Sequence, residues 1–96
     1  MTNRITEKQL FAVCERINRT MGTPIAPYAR NADNQIVPQA NSYLIDMAYG
    51  GYSLHQMMPT GTGERDVLGC GHLSKRDLID RMFAFLAGVG DARVQS

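Results

Sequence analysis

The sequence predicts an α+β fold: a small antiparallel sheet packed by an N-terminal and a C-terminal helix. Three observations predict it. A segment near each end opens with a capping pattern and continues with apolar residues at helical spacing. Residues 42–58 hold two strand-like runs around Gly50-Gly51. The span 23–41 carries three prolines, which argue against a helix there.

The first helix opens at "ITEKQL". Thr6 serves as its cap, Gln9 completes a capping box, and Ile5 can pack on Leu10 as a hydrophobic staple. Leu10, Val13, Cys14, Ile17 and Met21 follow helical spacing, and Gly22 is the stop. Residues 23–41 hold two short extended pieces, around Ile25–Arg30 and Gln35–Val37, on either side of an "NADN" turn. Pro27 and Pro38 confine these pieces to sheet edges.

Residues 42–58 carry the main hairpin. A two-residue type I′ turn at Gly50-Gly51 suits the positive φ that both positions need. The register then sets Tyr49 opposite Tyr52, Met47 opposite Leu54, Ile45 opposite Gln56 and Tyr43 opposite Met58. These residues form the core face. The other face pairs Ala48 with Ser53, Asp46 with His55 and Leu44 with Met57. A glycine-containing loop follows, and "LSKRDL" opens the second helix with Ser74 as cap and Asp77 at the box position. Leu78, Ile79, Met82, Phe83, Phe85 and Leu86 cover a wide stripe up to an expected stop at Gly88. That width fits a central helix or one buried against a second subunit. The expected domain spans 1–90, and 91–96 reads as a mobile tail.

Composition narrows the function classes. Ninety-six residues make one domain, and a chain this short buries only roughly 60–65% of its unfolded surface. Assembly into a homo-oligomer would raise a thin stability margin. The net charge of +1 is too small for a dedicated nucleic-acid binder. The start "MTNRITEKQL" has no apolar core, so no signal peptide is expected, and no apolar run is long enough for a membrane span. Two cysteines, Cys14 and Cys70, read as reduced thiols, with Cys14 in the helix core.

The candidate chemistry lies around the hairpin tip and the second helix start. A glycine-rich loop entering a helix can cradle an anion, with Arg65, Lys75 and Arg76 as the cations and His72 just before the cap. The segment matches neither a P-loop nor a dinucleotide fingerprint. Tyr49 and Tyr52 offer faces for a flat ring, and Gly50 and Gly51 allow close approach to the backbone; the same four residues also make an ordinary hairpin tip. Asp46 and His55 resemble the orienting half of a catalytic dyad, but no nucleophile is placed beside them. They read equally as a cross-strand ion pair. Cys14, Cys70, His55 and His72 lack the short paired spacings of structural zinc. No catalytic residue, metal site or cofactor is assigned.

The block "YLIDMAYGGYSLHQM", followed by "GTGERDVLGCGHLSKRDLIDRMFAFLAG", resembles a family of short accessory proteins of tailed bacteriophages and prophages. The shared features are a YGGY-x-L block, a glycine-containing loop and a closing helix, here ending with Leu78, Met82, Ala84, Phe85 and Gly88. The similarity covers residues 42–88. It brings no activity with it and implies a class of roles: counter-defence in the host cell cytoplasm. By analogy with sponges, the expected function is sequestration, without cleavage, of a nucleotide-like host immune signal such as a cyclic nucleotide. The implied ligand-binding residues are Tyr49, Gly50, Gly51, Tyr52, His55, Arg65, His72, Lys75 and Arg76. The rival readings are a protein inhibitor of a host defence enzyme, docking through Met57 and Met58, and a weakly basic RNA-binding-like module.

Overall fold

The computed structural model describes residues 4–60 and 63–95, with side chains up to residue 89. Gly61 and Thr62 of the expected glycine loop, and Ser96 of the expected tail, lie outside the described residues. The chain runs α1 (Glu7–Met21), β1 (Tyr28–Arg30), β2 (Ile36–Pro38), β3 (Tyr43–Ala48), β4 (Gly51–Met57), β5 (Glu64–Asp66) and α2 (Lys75–Gln95). The α+β class and the two terminal helices are as the sequence predicts.

α1 starts as its capping box dictates. The Gln9 N–H donates to Thr6 Oγ1 at 3.2 Å, and the Thr6 N–H donates to Gln9 Oε1 at 2.7 Å. The helix stops at Gly22 with φ of 72°, so the left-handed stop residue is the one expected. β1 and β2 pair with each other as a separate hairpin, not as edges of the main sheet. Their turn is made by Asn31, whose Oδ1 accepts the N–H groups of Asp33 and Gln35.

The main sheet has the order β3-β4-β5, antiparallel throughout. Its β5 is a strand that the sequence reading assigned to loop. "ERD" has no apolar alternation, so periodicity could not reveal it. The hairpin register also differs from expectation. The turn falls on Tyr49-Gly50, both at positive φ (54° and 72°), and Ala48 faces Gly51. Every cross-strand partner therefore moves by two residues: Tyr43 faces Gln56, Ile45 faces Leu54 and Met47 faces Tyr52. A shift of two preserves the pleat, so each side chain keeps its expected face. The opposite face pairs Leu44 with His55 and Asp46 with Ser53, so Asp46 and His55 are diagonal neighbours, not partners.

Both helices pack on the first face. Leu10, Val13, Cys14 and Ile17 of α1 meet Tyr43 and Leu54 of the sheet and Leu78, Ile79 and Met82 of α2. Burial pushes the Cys14 thiol up to about 12, which makes it an inert core group. Met57, read as a docking residue, is buried, whereas Met58 is exposed. α2 continues through Gly88 to Gln95, correcting the expected stop at Gly88. A glycine inside a helix costs only about 1 kcal/mol relative to alanine, and no proline follows to end it. Phe83 stays exposed while Phe85 packs toward Tyr43, ring centroids 5.9 Å apart.

Candidate functional site

The hairpin tip and the start of α2 meet. Tyr52 and Leu73 exchange both backbone hydrogen bonds, at 2.8 and 2.7 Å. This bridge extends the sheet by one step into the segment that enters α2. It requires Gly51. A Cβ there would lie 3.1 Å from the carbonyl carbon and Cβ of His72 and from the Leu73 oxygen. This contact explains the shifted turn. Gly51 is needed as a strand residue against His72, so the turn moves back onto Tyr49, at a cost in backbone strain.

His72 is thereby laid on the sheet face that the helices leave open. Its Nε2 lies 2.7 Å from Asp46 Oδ2, and its ring meets the Tyr49 ring edge-on at 5.7 Å between centroids. His55, from β4, is 6.0 Å from His72 by ring centroids. Its Nδ1 lies 2.7 Å from Glu64 Oε1 on β5. The donor atoms of Asp46, His55 and His72 all fall within 4.8 Å of one another. These three side chains are half-buried, from 15% exposure at His55 to 32% at Asp46, whereas Glu64 is exposed. The His72 contact, followed by the charges of His55 and His72, holds the Asp46 carboxyl below its ordinary range against the opposing effect of burial.

The glycine loop does hold an anion, and the chain supplies it. The Asp66 carboxylate accepts the N–H groups of Leu68, Gly69 and Gly71, at 3.2, 3.0 and 3.0 Å. Burial would raise the Asp66 carboxyl; the Gly69 and Gly71 N–H groups, the charge of His55 and the Leu68 N–H outweigh it and leave it lowered. A lowered folded-state value means that the stabilisation is complete above the ordinary carboxylate range and is lost as pH falls through the folded value. Thermal unfolding followed by circular dichroism should therefore show a midpoint that drops below about pH 4. In Asp66→Asn the midpoint should start lower at neutral pH and fall less on acidification.

The other sequence-derived residues are distributed around this core. Tyr49 stands at the turn, 97% exposed. Tyr52 lies on the helix side, where its hydroxyl donates to Glu7 Oε1 at 2.7 Å and the Lys75 Nζ lies 5.8 Å from its ring centre. The tyrosine pair expected across the tip is thus replaced by two separate contacts. Arg65 donates to Gln56 Oε1 from Nε and Nη2, also on the helix side. Ser74 accepts the Asp77 N–H as the cap of α2, which Lys75 and Arg76 enter. Sequence reasoning named His55 and His72 but not Glu64 or Asp66, and it paired Asp46 with the wrong histidine. Asp46 and His72 are 26 residues apart, so no local spacing joins them.

A groove of about 400 Å³ opens elsewhere, beside α1, lined by Phe11, Cys14, Ile25, Pro27, Tyr43 and Ile45 among others. It is apolar, and its one charged lining residue, Glu15, pairs with Arg19. The polar cluster on the open sheet face is the better place for chemistry. No helix among the described residues is long and apolar enough to cross a membrane. Compared with protein-family models, curated proteins and solved structures, the chain matches none of them.

Proposed function

We propose that this is a non-enzymatic binding protein that captures a nucleotide-like ligand at the hairpin tip, as a phage counter-defence sponge in the host cytoplasm. One observation carries the reading. Tyr49 is a bulky residue held at φ of 54° with its ring almost wholly in solvent. A left-handed conformation costs a non-glycine residue roughly 1–2 kcal/mol, and the core recovers none of it from an exposed ring. The Gly51 contact with His72 already places the turn on Tyr49; what it leaves is a ring held in solvent beside His72, at 5.7 Å between centroids, and available for stacking. Base–aromatic stacking contributes roughly 1–3 kcal/mol per base.

Charge orients the ligand. Asp46, Glu64 and Asp66 make the His55 side of the tip acidic, so a phosphate belongs on the α2 side, near Lys75 and Arg76. The assembly is a homo-oligomer, for which the exposed Phe11 and Phe83 supply apolar surface.

A thermal-shift screen against cyclic dinucleotides, cyclic trinucleotides and cyclic ADP-ribose isomers tests this. One of them should raise the melting point markedly. Tyr49→Asn should abolish that rise while leaving the unliganded midpoint equal or slightly higher, because asparagine tolerates the left-handed turn. Silence across the whole panel, or an unaltered rise in Tyr49→Asn, would count against the reading. A gel shift with duplex RNA that weakens steeply with salt would favour the RNA-binding rival instead.

A further inference from the structure

We propose that Asp46, His55 and His72 form a binding site for a first-row divalent transition-metal ion such as zinc(II). The proposal rests on metal-ligand geometry alone and is independent of the nucleotide reading.

Three separate elements bring these donors together: β3 supplies Asp46, β4 supplies His55 and the loop before α2 supplies His72. Two unrelated histidine–carboxylate pairs need not share a centre. Here the three donor atoms lie within 4.8 Å of one another. Donors around tetrahedral zinc sit about 3.3 Å apart, given bonds of about 2.0–2.1 Å. The Asp46–His72 contact of 2.7 Å opens slightly when both bond one ion, and the other separations close by at most about 1.5 Å. Side-chain torsions cover that range.

The surrounding residues have the form that metal sites require. Carboxylates beside histidine ligands are normal at such sites, and Glu64 Oε1 lies 2.7 Å from Nδ1 of His55. The His72 backbone is fixed from both sides. Asp66 ties down residues 68–71, and the Tyr52–Leu73 bridge follows immediately after. Three carboxylates, Asp46, Glu64 and Asp66, surround the two imidazoles, so a dication offsets local charge. Imidazole and carboxylate donors without thiolate suit zinc, nickel or copper ions over magnesium or calcium.

The test is equilibrium dialysis of the untagged full chain against zinc chloride, with zinc the only added ligand. One equivalent should bind with micromolar affinity or better. Asp46→Asn and His72→Ala should each weaken binding at least tenfold, and Glu64→Gln should weaken it ~10-fold as an outer-shell partner. Glu15→Gln, on the far side of the molecule's polar cluster, should bind as the parent does. Because a variant can unfold, the parent protein supplies a second readout by NMR: zinc should shift the ring signals of His55 and His72. Substoichiometric binding, binding unchanged in both Asp46→Asn and His72→Ala, or shifts confined to residues such as Cys70 would overturn the proposal.

Discussion

Asn18→Leu is expected to cost about 3 kcal/mol or more, a large part of the roughly 5–15 kcal/mol that holds a domain together. Asn18 is a fully buried polar residue on α1. Its Oδ1 accepts the Tyr43 N–H at 2.7 Å and the Thr23 hydroxyl at 2.8 Å. Its Nδ2 donates to the Tyr43 carbonyl at 3.0 Å and the Ile25 carbonyl at 3.3 Å. One side chain therefore satisfies both backbone groups of Tyr43 on the outer side of β3, the edge strand of the sheet. Leucine fills a similar volume and satisfies none of them. Each unpaired buried group costs about 1–3 kcal/mol. Urea unfolding measures the loss. A change below about 1 kcal/mol would mean that water reaches this edge and that α1 does not seal it.

Gly51→Ala is the second large effect, expected to cost about 1–3 kcal/mol as an overpacking change. Its added Cβ meets the carbonyl carbon and Cβ of His72 and the Leu73 oxygen, all at 3.1 Å. These atoms are fixed by the backbone and cannot rotate away, so the tip and the α2 entry must shift apart by a few tenths of an ångström. Gly50→Ala is the matched control. Its Cβ meets nothing within 4 Å, and its penalty is the conformational one of φ at 72° alone. The two variants should differ in kind. Gly50→Ala lowers stability while His72 stays in place. Gly51→Ala also shifts His72 relative to Asp46, and so should weaken metal binding and any ligand response that depends on the tip.

Much of the fold was legible because it is written locally. Thr6 and Gln9 fix where α1 begins, the spacing of Leu10, Val13, Cys14 and Ile17 fixes its buried side, and Asn31 writes its own turn. Strand alternation correctly divided the main hairpin into a face with Tyr43 and Leu54 and a face with Asp46 and His55. The register was less legible, because Gly50-Gly51 is the better turn by local preference. A contact with His72, some twenty residues further along, outweighs that preference. β5 and the edge-sealing role of Asn18 were hidden for the same reason: neither has a periodic signal, and both are defined by what they meet across the chain. The end of α2 was misread because glycine is a weak breaker when nothing after it stops the helix.

The candidate site follows the same division. His55, His72, Tyr49 and Gly51 stood out as residue types, yet their arrangement did not. The loop expected to cradle a foreign anion is filled by Asp66. The histidine expected to face Asp46 is held by Glu64, and the one expected to end a loop takes its place.

Amide hydrogen exchange at Tyr52 and Leu73 tests the joining of tip and helix entry most directly. Each N–H donates to the other residue's carbonyl, at 2.8 and 2.7 Å. Both should exchange slowly and at similar rates in the parent chain, and both should lose protection together in Gly51→Ala. If either amide exchanges in the parent protein as fast as an unstructured peptide, the tip and the start of α2 are not joined, and the site described above does not exist as one unit.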